Sequence, residues 1–266
     1  MPAVESQETH SKRPFDALLF DLGNTLIYFD GDWQQVLPKA CMEAWKSLQK
    51  AGLEMDQYSF VQGFLEKLNA YYVERESEFI EYTTAYVLKS LLTENGYTNI
   101  PEHTLRPALD VMYSVSRNHW HVEMDTHPVL QELKAQGYRL GIVSNAGDDQ
   151  DVQRLVDKAQ LRPYFDVVLS SAALGIRKPN PLIFESALSR LKVGPARAAM
   201  VGDTLGADIL GAQNAGVFSI FLTRRAATPA NQAHLDTIQP DAVIEALSEL
   251  PNLLESYINA NGQKYF

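Results

Sequence analysis

The chain has 266 residues, of which 45% are hydrophobic and 21% charged, values typical of a globular protein with a sizeable core. A net charge of −10, from 23 basic and 33 acidic residues, argues against nucleic acid or an anionic membrane surface as the main partner. Cys41 is the single cysteine, which excludes an intrachain disulfide and a thiolate metal cage.

No apolar run approaches the roughly 18 residues that span a bilayer, so we expect no membrane partner. The N-terminal residues 1–13 are polar and aperiodic, lack the apolar region of a signal peptide, and predict a disordered tail. We therefore expect a soluble, cytoplasmic protein. A short apolar run then starts at Phe15 and ends at Asp21, which is typical of a buried strand entering a loop.

Residues 31–121 differ in character, because apolar residues recur there at helical spacing and few segments resemble strands. Pro38 is expected to end, kink or shorten the first of these helices, since proline lacks the amide N–H that a helix interior uses. We interpret this region as a mostly helical cap inserted after the first strand.

The remaining chain alternates short β-rich runs with helical patterns. The runs are 139–143, 165–169, 198–201 and 217–222, and the helical patterns are 129–136, 151–160, 181–191 and 206–215. Such alternation predicts right-handed βαβ units and a parallel sheet. We predict an α/β fold: a three-layer, Rossmann-like core from 14–30 and 122–250, the cap from 31–121, and a C-terminal segment, 251–266.

Polar residues follow several of the predicted strands. Ligands bind at the carboxyl ends of the strands of a parallel sheet. Asp21 follows the first strand, Ser144 and Asn145 follow the second, and Asp203 follows the fourth; Lys178 lies in a loop after the third. We expect these side chains to converge on one edge of the sheet.

This combination of groups suits phosphoryl transfer. The carboxylates of Asp21 and Asp203 can hold a hard divalent cation together with a substrate phosphate. The cation and Lys178 would offset the repulsion between a carboxylate nucleophile and a phosphate dianion, and Ser144 with nearby backbone N–H groups would hold the equatorial oxygens. An aspartate can then attack phosphorus and form an aspartyl phosphate.

Four segments, in order along the chain, resemble the motifs of the haloacid dehalogenase superfamily. They are DLGNTL at 21–26, IVSN at 142–145, RKP at 177–179 and GDTLGAD at 202–208. The place of the cap, between the first two motifs, resembles the branch of haloacid dehalogenases and phosphoglycolate phosphatases. The resemblance implies Asp21 and Lys178 as catalytic residues, phosphate binding by Ser144, Asn145, Lys178 and Thr25, and Mg²⁺ binding by Asp21, the Gly23 carbonyl, Asp203 and Asp208.

One position departs from the family pattern. Family phosphatases usually carry a second aspartate two residues after the nucleophile, where this chain has Gly23. A general acid is worth roughly 10²–10⁴-fold in rate. We therefore expect good leaving groups to be favoured. His119 or His121 is a candidate replacement acid, the alternative being that both pack where the cap joins the core.

Two further groups have open interpretations. Tyr28, Phe29 and Trp33 either line a substrate pocket or cover the hinge of the cap. Arg224 and Arg225 either attract an anion or are simply solvated.

The sequence thus predicts a Mg²⁺-dependent phosphatase that acts on a small phosphorylated metabolite. The alternatives are carbon–phosphorus or carbon–halogen hydrolysis by the same nucleophile, or a phosphate- or partner-binding protein with little turnover. Nothing in the sequence indicates the oligomeric state.

Overall fold

A six-stranded parallel sheet forms the centre of the computed structural model, which describes residues 13–262. In chain order the strands are β1 (Ala17–Phe20), β2 (Ile27–Phe29), β3 (Trp120–Val122), β4 (Arg139–Ser144), β5 (Val167–Ser170), β6 (Ala198–Gly202), β7 (Phe218–Leu222) and β8 (Ala242–Ile244). The sheet order is β5-β4-β1-β6-β7-β8. β1 is central: Leu19 pairs with Gly141 of β4 and with Met200 of β6.

Helices follow or separate these strands. They are α1 (Trp33–Lys50), α2 (Gln57–Glu78), α3 (Thr84–Glu94), α4 (Glu102–Arg117), α5 (Thr126–Ala135), α6 (Asp149–Lys158), α7 (Ser171–Leu174), α8 (Pro181–Leu191), α9 (Leu210–Asn214), α10 (Pro229–Gln232) and α11 (Leu250–Gly262). The α8 helix begins as its sequence predicts, because Asn180 accepts a hydrogen bond from the backbone of Leu182 and Pro181 takes the first helical position.

The core has three layers, as the alternating pattern predicts. On one face of the sheet, apolar residues of α5, α6 and α11 pack against Phe20, Ile142 and Val201. On the other face, α8 and α9 pack against Leu19 and Met200. Strands buried on both faces explain why the sheet-forming segments are apolar runs without polar alternation.

Helices α1 to α4 surround a separate apolar cluster that includes Leu48, Phe64, Leu88 and Leu109. Pro38 neither ends nor shortens the first helix, since it lies inside α1, whose full length is 18 residues. The apolar side of α1 is buried in the cluster, and this packing outweighs the hydrogen bond that proline removes.

A two-stranded antiparallel ribbon of β2 and β3 lies at the base of these helices, and the sequence analysis did not predict it. It also missed β8, whose three residues are too few to show a periodicity. Within residues 13–262 no helix is long and apolar enough to cross a membrane. The predicted tail 1–13, apart from its last residue, lies outside the described residues, as does the end of the C-terminal segment.

Candidate active site

Three aspartates gather at the carboxyl edge of the sheet. Asp21 directly follows β1 and donates its backbone N–H to the carbonyl of Val201, 3.0 Å away, so its position is fixed by the sheet. Asp203 directly follows β6, and Asp208 lies in a π-helical turn, Leu205–Ile209, that precedes α9. One carboxylate oxygen from each aspartate lies within 4.8 Å of the others.

A glycine makes room for one of these carboxylates. A Cβ atom at Gly202 would lie 2.3 Å from Cγ of Asp208, a distance that real atoms do not adopt. The second oxygen of Asp208 accepts a hydrogen bond of 3.0 Å from the backbone N–H of Thr204. The glycine of the GDTLGAD segment therefore lets Asp208 fold back beneath the strand end.

Lys178 supplies the positive charge of the cluster. Its Nζ donates to Oδ1 of Asp21 and to Oδ1 of Asp208, both at 2.6 Å, and to the carbonyl of Val143 at 2.7 Å. Burial favours a lower pKa for this lysine, but the carboxylates of Asp208 and Asp21 outweigh it and the pKa is raised. The side chain is therefore a charged ammonium group whose N–H donors are directed at the two carboxylates and the carbonyl.

The aspartates have raised pKa values because they are buried and crowded. Burial raises the pKa of Asp21 to about 6, with Lys178 opposing the rise and Asp208 adding to it. Burial, followed by the charges of Asp21 and Asp208, raises the pKa of Asp203 to about 8. A site with this excess of negative charge suits an added cation.

Asn145 positions the lysine. Its side-chain amide donates to the Lys178 carbonyl at 3.0 Å, and its amide oxygen accepts from the Lys178 N–H at 2.9 Å. This paired contact ties the loop that carries Lys178 to the end of β4. Ser144, the last residue of β4, is buried at the same edge.

The cluster forms one end of a cavity of about 830 Å³ between the sheet edge and helices α1 to α4. Six aromatic residues contribute to its wall, namely Trp33, Tyr71, Tyr72, Phe79, Tyr113 and Trp120. The cavity therefore has the aspartate cluster at one end and, beyond it, a mixed wall in which these six aromatic rings lie among polar and charged residues.

A docking loop, residues 79–84, fastens the helical region beside the site. Its Thr84 N–H donates to the carbonyl of Gly147 at 2.8 Å, and Arg177 donates its N–H to the carbonyl of Phe79 at 3.2 Å. Glu81 is buried, accepts from Ser171 Oγ at 2.7 Å, and also contacts the hydroxyl of Tyr71. The loop therefore touches segments that adjoin both the Ser144 and the Lys178 motifs.

The family model for haloacid dehalogenase-like hydrolases matches residues 15–216, which cover the sheet edge and the helical region. The chain belongs to this family. As a haloacid dehalogenase-like hydrolase it is an enzyme, and the resemblance drawn from the sequence is confirmed.

Relatives include both phosphatases and a dehalogenase. The chain is 31% identical over 245 residues to glyceraldehyde 3-phosphate phosphatase of Methanothermobacter thermautotrophicus, covering 90% of this chain and 99% of that protein. It is 30% identical over 202 residues to pyrophosphatase PpaX of Bacillus cereus, covering 73% of this chain and 88% of that protein. The crystal structure of a 2-haloacid dehalogenase from Pseudomonas syringae superposes with a TM-score of 0.65 at 28% identity, over 91% of this chain and 99% of that one.

The fold brings most of the predicted site residues of this hydrolase together. Those that line the cavity are Asp21, Gly23, Ser144, Asn145, Lys178, Asp203 and Asp208. Thr25 does not line the cavity. It is fully buried, and its hydroxyl donates to Asp203 Oδ1 at 3.4 Å. The Thr25 hydroxyl thus contacts a carboxylate of the cluster, and its binding of phosphate stays a prediction.

The histidines proposed as a replacement acid lie elsewhere. Neither His119 nor His121 lines the cavity; Nδ1 of His119 lies 2.8 Å from the Asp30 carbonyl, and His121 packs against Tyr28 on the far face of the ribbon. The packing interpretation is the one that the structure supports. It is Trp120, between them, that faces the cavity.

The two arginines, both partly exposed, form ion pairs with carboxylates. Arg224 pairs with Asp125 at 2.5 Å, and Arg225 contacts Glu123 and stacks over the ring of Tyr28, 4.1 Å from its centroid. Both arginines therefore brace the segment that follows β3. Of the aromatic residues near the first motif, Trp33 lines the cavity, whereas Tyr28 and Phe29 pack at the ribbon.

Asn231 is a site residue that the sequence analysis missed. Its side chain donates to the Asp203 carbonyl at 2.7 Å and accepts from the Leu205 N–H at 2.8 Å, so it holds the loop that carries Asp203. A lone asparagine near residue 230 gives no local signal for this role, because Asp203 and Leu205 lie more than twenty residues earlier.

Proposed function

We propose that this hydrolase cleaves phosphate monoesters of small metabolites through an aspartyl phosphate on Asp21. The observation that carries the proposal is the buried contact of Lys178 with Asp21 and Asp208, 2.6 Å each, at the end of a cavity that opens on all three aspartates. Relatives named as phosphatases support the same chemistry.

In the first step an oxygen of Asp21 attacks phosphorus, and the bond from phosphorus to the ester oxygen breaks. That oxygen leaves with the electron pair. The pKa of Asp21, about 6, makes it a carboxylate at neutral pH, as a nucleophile requires. Lys178 would offset the negative charge of the phosphoryl oxygens, and the Ser144 hydroxyl would donate a hydrogen bond to one of them.

In the second step a water oxygen attacks phosphorus, and the bond to Asp21 breaks. The water gives up a proton to solvent, inorganic phosphate leaves, and the carboxylate of Asp21 returns to its starting state. Lys178 stays bonded to the returning carboxylate, which keeps it in place for the next cycle.

The three aspartates fit a Mg²⁺ ion, which we propose as the cofactor. Lys178 contacts both Asp21 and Asp208 with a single positive charge, whereas Asp203 accepts only a long contact from the neutral hydroxyl of Thr25 among its described side-chain partners. When bound, the ion would neutralise charge on the transferring phosphoryl group. The backbone carbonyl of Gly23, also at the cavity wall, is proposed as a further ligand.

Residues 31–121 are proposed to act as a cap that excludes water and selects the leaving group. The support is that α1, α2 and α4 and the docking loop supply much of the cavity wall opposite the sheet edge. The core would then comprise 14–30 and 122–250.

The test compares the wild type with Asp21→Asn on a panel of phosphate esters, with Mg²⁺ and with a chelator. We expect the substitution to reduce turnover by about 10⁴-fold or more, because it removes the nucleophile, and the chelator to abolish wild-type turnover. Asp16→Asn, at the opposite end of β1, is the matched control and should retain activity. Equal turnover of wild type and Asp21→Asn would refute the proposal.

Carbon–halogen hydrolysis is a second candidate, favoured by the superposition on a 2-haloacid dehalogenase and by the missing side chain at Gly23. The same panel separates the two with a haloacid added. Dehalogenation by Asp21 needs no divalent cation, so haloacid turnover that survives the chelator would favour this candidate.

A further inference from the structure

An indole ring stands where a side chain of Gly23 would extend. A Cβ atom built on Gly23 would lie 3.2 Å from Cη2 and 3.5 Å from Cζ3 of Trp120. Both residues line the cavity, and Gly23 follows Asp21 by two positions. The cavity wall beside the nucleophile is therefore the benzo edge of the Trp120 ring. This edge carries only C–H groups and has no acidic proton to transfer.

The ring is held in place by its neighbours. Trp120 pairs with Phe29 across the ribbon, and the two rings meet edge to face with centroids 5.3 Å apart. Phe29 makes a second edge-to-face contact, at 4.9 Å, with Trp33, which also lines the cavity. Ring pairs of this geometry are attractive beyond the area they bury, so the wall is preorganised.

The chemistry of the remaining wall agrees with this ring. Away from the aspartates, aromatic side chains of α1, α2, α4 and the docking loop face the same space as Trp120. The aromatic side chains of this wall favour contact with flat, apolar groups.

We infer that Trp120 is a specificity-determining residue that selects phosphate esters whose leaving group is a planar aromatic ring, that is, aryl phosphates. The inference rests on the proposed function and names its substrate class. The aryl ring would lie against the indole while the phosphoryl group reaches Asp21 and Lys178.

The absence of a donor at Gly23 fits the same class. An aryl oxide leaves with its electron pair and needs less help from an acid than an alkoxide does. The reason is that phenols, such as the tyrosine side chain, are much stronger acids than alcohols, with a pKa of about 10. The aryl oxide takes its proton from water after departure. A wall without an acid and a leaving group that does not need one are thus matched.

The experiment measures kcat/KM of wild type and Trp120→Leu with phenyl phosphate and with acetyl phosphate, a small substrate with a good leaving group. We expect the variant to lose about three- to tenfold on phenyl phosphate, the worth of a ring contact, and to stay within about twofold on acetyl phosphate. Trp45→Leu, the same exchange at a tryptophan outside the cavity wall, should affect both substrates equally.

Binding separates this inference from the proposed function. In the Asp21→Asn background, calorimetry should show that adding Trp120→Leu weakens the affinity for phenyl phosphate by about three- to tenfold. Parallel losses on both substrates would overturn the inference, because the ring would then be merely structural, and so would unchanged affinity for phenyl phosphate. If wild type turned over neither ester but the binding difference held, the proposed function would fail and the aryl-binding role would stand.

Discussion

Lys178 shows how much the site depends on one side chain. It is 2% exposed, and a cation at that depth is stable only because two carboxylates and a carbonyl surround its ammonium. Removing one partner of such a group leaves buried charge without compensation. The lysine is therefore a structural element of the aspartate cluster, in addition to the catalytic role proposed for it.

Lys178→Met should lower the free energy of unfolding by about 3–5 kcal/mol in the presence of a chelator, because Asp21 and Asp208 lose their cation. Mg²⁺ should restore more stability to this variant than it adds to the wild type, since the ion supplies the missing charge. Chemical denaturation with and without Mg²⁺ measures both effects.

Lys46→Met is the control, because Lys46 forms an exposed pair with Glu43 that is worth at most about 1 kcal/mol. If Lys178→Met were as stable as Lys46→Met in chelator, the account of Lys178 as the charge balance of the cluster would be wrong.

Sequence reasoning identified the residues at strand ends because their position follows from the fold class alone. Asp21, Ser144 and Asp203 each adjoin an apolar run, and the sheet brings their ends together. Asn231 and Trp120 depend on contacts made by distant loops, for which no local pattern exists. The contact of Thr25 with Asp203 had no local signal either, since one hydroxyl can bind a phosphate or a neighbouring carboxylate.

Among the elements, α4 and α6 are joined by ion pairs between the helical region and the core. Arg117 contacts Asp151 at 2.6 Å, and Arg106 contacts Asp148 at 2.7 Å. Asp151 also lines the cavity. Burial raises its pKa to about 6, although Arg117 opposes the rise.

The raised pKa of Asp151 gives stability a defined pH dependence. The folded carboxyl holds its proton up to about pH 6 and the ordinary value is 3.8, so the folded state binds more protons between these limits. This contribution to stability is present at low pH and falls as pH rises from 3.8 to about 6, by about 3 kcal/mol at most.

Asp151→Asn should remove this fall, which denaturant titrations at several pH values would show as a flatter profile than that of the wild type. Asp157→Asn, on the same helix but with an exposed side chain paired to Arg162, should leave the profile nearly unchanged. An Asp151→Asn profile parallel to the wild type would contradict the assignment.

The sequence predicted the elements well where a run was long enough to show its period, as for β4, α8 and the helices of the cap. It failed for β8 and the β2–β3 ribbon, each strand having three residues, because pairing rather than pattern creates them. It also overestimated the effect of Pro38, since tertiary packing of α1 on its neighbours outweighs a local preference.

At the scale of the whole molecule, the contacts that attach the helical region to the core include the ribbon, the docking loop and the α4–α6 contact. Asp110 is central to the last of these, because it accepts from Arg106 within α4 and from Arg154 of α6. These pairs are partly exposed, so each is expected to contribute little to the free energy of the α4–α6 contact.

Asp110→Asn should loosen that contact by about 1 kcal/mol, which corresponds to roughly fivefold faster hydrogen exchange in α4. Mass spectrometry of exchanged peptides measures the change. Glu43→Gln in α1, where the pair with Lys46 stays within one helix, should not alter exchange in α4. Unchanged exchange in both variants would show that the ion pairs do not restrain the cap.

The β2–β3 ribbon has a consequence for how such a molecule can be built. Because Phe29 and Trp120 are paired neighbours, the chain leaves the core and returns to it at one point, and α1 to α4 are, in topological terms, the loop of a β-hairpin. A hairpin tolerates a loop of almost any length, since closure entropy grows only slowly with length. Helices can thus be lengthened, exchanged or removed there without disturbing the order of the six strands.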